Sequence, residues 1–127
     1  ALIVLFAEIF IIDSAETVSN YEDFCEKNDE SRIWYLTTKA RQTIADVSYR
    51  DGDFLMFGKE SAGIPEEILI RHPERCVRIP MAPQERSINL AGSVAIALYE
   101  ALRQLGYPGL ERSGELHHGK WDSRSSG

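Results

Sequence analysis

The sequence predicts an α/β domain with a mainly parallel sheet flanked by helices. Three observations predict it. Short β-branched and aromatic runs recur along the chain, segments with helical start and stop signals stand between them, and an apolar helix closes the ordered part. Strands that alternate with helices pair in parallel and are covered on both faces.

Leu2-Ile3-Val4-Leu5-Phe6 is a continuous apolar run, as expected of a buried strand, and Phe10-Ile11-Ile12 is a second one. Only Ala7, Glu8 and Ile9 separate the two, whereas a parallel crossover needs a dozen or more residues. Either the runs form one bent strand or a segment is absent between them. Ser19 with Glu22 makes a capping-box pattern that opens a short helix through about Lys27. Arg32-Ile33-Trp34-Tyr35-Leu36 reads as a strand ending in the polar Thr37-Thr38-Lys39. Asp51-Gly52 is a turn, and Phe54-Leu55-Met56-Phe57 is a strand stopped by Gly58. Pro65 suits a first helical position, and Glu66 and Glu67 complement the helix dipole, so a helix runs to about Arg71. Cys76-Val77-Arg78-Ile79 is the last strand.

The final helix carries Leu90, Val94, Leu98, Leu102 and Leu105 on one face, with Gly106 just past its end and Pro108 beyond. Ile88, Ala91, Ala95, Ile96, Ala97, Tyr99 and Ala101 extend the apolar surface round most of its circumference. Such a helix is either sandwiched within its own domain or also packs against another subunit. Residues 1–108 form one domain, and 109–127 a polar, Ser/Gly-rich tail expected to be disordered.

Composition limits what the motifs can mean. The chain has 127 residues, 43% apolar and 27% charged, which suits one core. No apolar run approaches the ~20 residues of a membrane span, and no signal-peptide pattern opens the chain, so a soluble cytoplasmic protein without a membrane partner is expected. Cys25 and Cys76 lack metal or redox spacing and read as reduced thiols. Net charge is −6, but the imbalance is local: the first 30 residues hold eight acids against Lys27, and the rest carries thirteen bases and twelve acids. Arg71, Arg75, Arg78 and Arg86 cluster in that remainder.

Several motifs can be set aside. Gly58 and Gly63 have the spacing of a phosphate-binding loop, but Ile64-Pro65 stands where Lys and Ser/Thr must follow. Ser61 lacks the first glycine of a nucleophile elbow. His117-His118 sits in the tail without further ligands, so no metal site is expected, and His72 reads as a solvated residue after a helix end. What remains is Phe57-Gly58-Lys59-Glu60-Ser61-Ala62-Gly63-Ile64-Pro65, followed by Arg78-Ile79-Pro80-Met81 and Arg86-Ser87-Ile88-Asn89-Leu90. These place polar turns at the ends of two buried strands, where an α/β sheet binds small ligands.

The first of those stretches resembles the second motif of the SPOUT methyltransferases, and Ile79-Pro80-Met81 through Ser87-Ile88-Asn89-Leu90 resembles the third. Leu36-Thr37-Thr38-Lys39, Val47-Ser48-Tyr49, Asp51-Gly52-Asp53 and the ending Tyr99-Glu100-Ala101-Leu102-Arg103-Gln104-Leu105-Gly106-Tyr107 make it most similar to the small tRNA (cytidine/uridine-34-2′-O)-methyltransferases. The resemblance covers roughly residues 30 to 108. It implies a C-terminal trefoil knot, S-adenosylmethionine as cofactor, a homodimer, and methyl transfer to a ribose 2′-oxygen of the tRNA wobble nucleotide. By motif matching, Leu36, Thr37, Gly58, Glu60, Ile79, Met81, Ser87 and Leu90 would contact the cofactor, with Gly58 letting backbone approach the ligand. Glu60 would bond a hydroxyl or cap the turn before Pro65. Ser87 and Asn89 match positions that line the reaction centre, and Asn89 also suits a helix cap. Arg86, beside them, is the strongest candidate for an RNA phosphate.

One departure stands against the match. The family's first motif, an Asn-Thr-Gly-Asn turn with a nearby Arg, should follow Glu8-Ile9 and is wanting; no Arg precedes Arg32. Two competing readings follow: a non-catalytic knotted RNA-binding or dimeric scaffold, and a related methyltransferase acting on ribosomal RNA.

Overall fold

The computed structural model describes residues 7–12, 17–58, 63–84 and 89–122, with side chains from Asn20 onward. Four strands, β1 (Ala7–Ile12), β2 (Ile33–Leu36), β3 (Asp53–Gly58) and β4 (Cys76–Val77), form a sheet in the order β1-β3-β2-β4, and every pairing is parallel. Among the described residues, helices α1 (Thr17–Lys27), α2 (Glu66–Leu69) and α3 (Leu90–Gln104) and two 3-10 turns accompany the sheet. The expected α/β fold with a parallel sheet is the one observed.

The two faces of the sheet are separated by the period of two along each strand. Trp34, Leu36, Leu55, Phe57 and Val77 point to one side, where they bury Ala97, Ala101 and Leu102 of α3 together with Ile44 and Tyr49. Ile33, Tyr35, Met56 and Cys76 point to the other, against Tyr21 of α1 and Ile64, Ile68 and Leu69 around α2. A sheet covered on both faces explains why its strands read as continuous apolar runs rather than alternating ones.

β1 runs through Ile9 and Phe10 in unbroken register with β3, from Ala7 opposite Asp53 to Ile12 opposite Gly58. The Leu2 to Phe6 run lies outside the described residues. Ser19 falls inside the first turn of α1, which starts at Thr17, so the capping-box pattern does not mark the helix start. β2 begins at Ile33 because Arg32 closes a 3-10 turn with its N–H on the Asp29 carbonyl at 3.1 Å. α2 ends at Leu69 rather than Arg71, since the chain then tightens into turn bonds from Arg71 N–H to Ile68 and from His72 N–H to Leu69. β4 stops at Val77 because its partner β2 ends at Leu36, and Arg78 bridges Thr43 instead.

α3 is bounded as its sequence indicates. The Asn89 side chain accepts a hydrogen bond from Gly92 N–H at 2.8 Å, and Gly106 takes φ +82° past the C-cap Leu105. Leu90, Val94, Leu98 and Leu105 pack on the sheet. Ala91, Ala95, Ile96 and Tyr99 remain exposed, Tyr99 by 53%. The tail through residue 122 carries neither helix nor strand.

Candidate active site

The parallel register brings the carboxyl ends of all four strands to one edge. Leu36 lies opposite Phe57 on one side and Val77 on the other, while Gly58 lies opposite Ile12. The segments predicted to bind a ligand therefore meet there: Leu36 at the end of β2 with Thr37 after it, Gly58 at the end of β3, and Ile79 to Met81 after β4. The Thr37 N–H donates to the Val77 carbonyl at 3.0 Å, joining the first and third of these. Ile79 and Leu90, the first residue of α3, are half-buried and pack on the same core cluster.

Individual residues sort differently. The Leu36 side chain is buried in the core and can offer a ligand little besides backbone. Met81 is half-buried. Asn89 stands at the N-terminus of α3 with its side-chain oxygen committed to the cap. Glu60, Arg86 and Ser87 lie outside the described residues. Gly58 has a close neighbour within the fold, because a Cβ there would lie 2.2 Å from the Gly63 carbonyl carbon and 2.4 Å from the Ile64 nitrogen. The close approach that glycine permits is by the protein's own chain as it turns toward α2. A Val at this position would strain the fold, not merely block a ligand.

The arginine cluster also resolves. Arg71 pairs with Glu22. Arg75 lies 3.8 Å over the Trp34 ring and donates Nε to the Ile33 carbonyl at 2.9 Å, and burial holds its guanidinium below the usual range. Arg78 donates Nη1 to the Thr38 carbonyl at 3.1 Å. All three make contacts within the fold, so Arg86 stays the candidate for phosphate.

His72 is not a solvated helix-end residue. Its ring stacks on Tyr35 at 5.3 Å, and Nε2 lies 3.1 Å from the Tyr21 hydroxyl and 3.2 Å from Glu30. Tyr21 and Tyr35 share a hydrogen bond of 2.8 Å, and burial pushes both phenols well above the usual tyrosine range. This network ties α1 to the chain after α2. Cys25 and Cys76 are free thiols, both raised by burial. Among the described residues no three His, Cys, Asp or Glu side chains gather to hold a metal ion, and no helix is long and apolar enough to cross a membrane.

Two polar anchors escaped the sequence. Asp53, 2% exposed, accepts from Trp34 Nε1 at 2.9 Å, Arg50 N–H at 2.8 Å and Arg32 Nε at 3.2 Å. Gln104 accepts from Tyr49 N–H at 3.0 Å and donates to the Val47 carbonyl at 2.9 Å. The only hints were an acid after a turn and an amide in an apolar helix.

Known proteins are similar to this arrangement. Residues 6–99 match the SpoU rRNA Methylase family. The tRNA (cytidine(34)-2′-O)-methyltransferase of Escherichia coli K12 is 50% identical over 91 residues, which are 71% of this chain and 58% of the relative. The chain thus spans less than two thirds of that enzyme's length. A solved structure described as "Structural insights into the 2-OH methylation of C/U34 on tRNA" superimposes with TM-score 0.62 and 39% identity, covering 68% of this chain and 53% of its own. An AdoMet-bound rRNA methyltransferase from Sinorhizobium meliloti superimposes with TM-score 0.58 and 26% identity, over 76% and 45% of the two chains. The motifs at the carboxyl edge, the parallel sheet that displays them and these similarities together lead to one conclusion: the chain belongs to the SpoU rRNA methylase family.

Proposed function

We propose that this protein is a tRNA 2′-O-ribose methyltransferase that transfers a methyl group from S-adenosylmethionine to the wobble nucleotide. The single observation that carries the reading is the convergence of Thr37, Gly58 and Ile79 at one sheet edge, in a chain half identical over 91 residues to an enzyme of that name. The residues present fit the cofactor. Ile79, Met81 and Leu90 are half-buried apolar side chains able to flank an adenine, and the strand-end backbone supplies groups for hydroxyls and the amino-acid portion.

When bound, S-adenosylmethionine supplies a methyl group on a positively charged sulfur. The protein's part is to bring a ribose 2′-hydroxyl in line with it and assist loss of the hydroxyl proton. Asn89, fixed by its cap at the start of α3, is assigned to hold the acceptor ribose through its amide nitrogen, with Ser87 beside it. Arg86 is assigned to a substrate phosphate, and Glu60 to a cofactor hydroxyl. Residues 1–108 form the methyltransferase domain and 109–127 its tail. α3 lies on the inner strand β3 although β4 is an edge strand, so the chain returns across the sheet, which supports the trefoil knot. The exposed Ala91, Ala95, Ile96 and Tyr99 support a homodimer through α3, and the tRNA substrate supports a cytoplasmic location.

The test is a labelled-methyl assay with tRNAs carrying or lacking the 2′-hydroxyl at position 34, with ribosomal RNA as a third substrate. Label only in the hydroxyl-bearing tRNA supports the proposal. Equal label in both tRNAs refutes the target atom, and label in ribosomal RNA alone moves the assignment to that substrate. One observation favours a non-catalytic scaffold: β1 runs unbroken where the first motif would stand. Bound cofactor with no label in any RNA would select that reading.

A further inference from the structure

The near end of the loop between β2 and β3, residues 37–52, is held beside β4 by Gln42, whose Nε2 donates to the Glu74 and Cys76 carbonyls at 3.0 and 3.1 Å, and by Arg78. Arg78 donates its backbone N–H to the Gln42 carbonyl at 3.0 Å and accepts from Ile44 N–H at 2.9 Å, so its backbone is pinned as a one-residue parallel bridge opposite Thr43. From that fixed point its guanidinium reaches back to the Thr38 carbonyl at 3.1 Å. Thr38 belongs to the turn that begins at Thr37, where Ala40 N–H bonds the Thr37 carbonyl at 3.2 Å and Lys39 N–H bonds Thr37 Oγ1 at 3.2 Å. Ile79 is the next residue along. Arg78 therefore touches one wall of the ligand edge with its side chain and is covalently joined to the other.

We propose that Arg78 is a positioning residue that sets the separation between the Thr37–Thr38 turn and the Ile79–Met81 segment, and so the fit of S-adenosylmethionine between them. The inference rests on the function proposed above. The alternative use of this cation, a substrate phosphate, would call on the guanidinium donors that the Thr38 carbonyl does not take, and the experiment separates the two. The charge suits this role, since a cation on a carbonyl makes a stronger bond than a neutral donor does, while the flanking backbone bonds fix where the side chain starts. Gln104 clamps the far end of the same loop at Val47 and Tyr49. It supports the loop without touching the ligand edge, and its replacement is the control for general loosening.

The experiment compares the unsubstituted chain with Arg78→Ala, Arg78→Lys and Gln104→Leu. Calorimetry measures the Kd for S-adenosylhomocysteine, and hydrogen exchange measures the Lys39 and Ala40 amides. Arg78→Ala should raise Kd about tenfold, the scale of one charge-assisted hydrogen bond, and speed exchange at both amides. Arg78→Lys, which can still donate to the Thr38 carbonyl, should recover most of the affinity. Gln104→Leu should lower the melting temperature yet leave Kd within about twofold. An unchanged Kd in Arg78→Ala, or an equal rise in Gln104→Leu, overturns the inference alone. Weaker RNA binding with a salt dependence reduced by roughly one ion and an unchanged cofactor Kd would assign Arg78 to phosphate instead. Failure of the unsubstituted chain to bind S-adenosylhomocysteine overturns the proposed function and this inference with it.

Discussion

Removing the Asp53 carboxylate should be among the most damaging single changes in the fold. Its Oδ2 accepts both the Trp34 indole N–H and the Arg50 backbone N–H, and its Oδ1 accepts Arg32 Nε. In Asp53→Ala the indole donor is stranded in a buried site and the Arg50 amide in a partly buried one, at roughly 1–3 kcal/mol each. The Arg32 side chain is about one-third exposed and regains water, so the lost ion pair adds little. The sum, about 2–6 kcal/mol, is a large fraction of the stability of many domains. Asp53→Asn can keep its oxygen on Trp34 and Arg50 and turn its NH₂ toward Arg32, which limits the cost to roughly 1–2 kcal/mol. Urea unfolding read by Trp fluorescence and circular dichroism measures both variants: Trp34 reports the site, while the exposed Trp121 supplies a constant background. The midpoint should fall with the slope unchanged. If Ala and Asn cost the same, or if Ala costs less than about 1 kcal/mol, Asp53 is not the anchor its three partners indicate.

Three further outcomes are expected. Gly58→Ala should cost at least about 2 kcal/mol in thermal unfolding, since the obstacle to its Cβ is backbone at Gly63 and Ile64 rather than a side chain that can swing away; a neutral variant would contradict the packing described. Asn89→Ala should lose about 1 kcal/mol through the missing cap to Gly92, and Asn89→Asp should retain it. In a methyl-transfer assay both should slow turnover, because neither keeps the amide nitrogen assigned to the ribose. The buried phenols of Tyr21, Tyr35 and Tyr49 are all raised chiefly by burial. Their folded-state values lie above the unfolded one, so they contribute stability that is present below about pH 10 and is lost as pH rises beyond it. Absorbance at the phenolate band should show these tyrosines ionising together with loss of circular dichroism, and their ionisation in a still-folded chain would refute their burial.

Local pattern carried the sheet and the last helix well. Phe54-Leu55-Met56-Phe57 lies within β3, and α3 starts and stops at Asn89 and Gly106, because apolar periodicity and caps act within a few residues. The edge that joins Thr37, Gly58 and Ile79 was legible only through motif resemblance; strand order and register, not local sequence, bring those segments together. The failures share a cause. The Gly63 backbone that leaves no room for a Cβ at Gly58 and the Trp34 ring beneath Arg75 are neighbours that local spacing does not announce. His72 was read from the helix before it, whereas Tyr21, Glu30 and Tyr35 decide its surroundings. Each outcome depends on a tertiary neighbour that residue type and spacing do not disclose.

The most direct test of the central claim is an amide chemical-shift map of the protein titrated with S-adenosylhomocysteine. Binding at the carboxyl edge of the sheet predicts saturable shifts at Thr37 and Thr38, Gly58, Ile79, Met81 and Leu90, with Asp53 and Ile33 at the opposite ends of β3 and β2 unmoved. Shifts centred on Asp53 and Ile33, or none at a large excess of ligand, would contradict it.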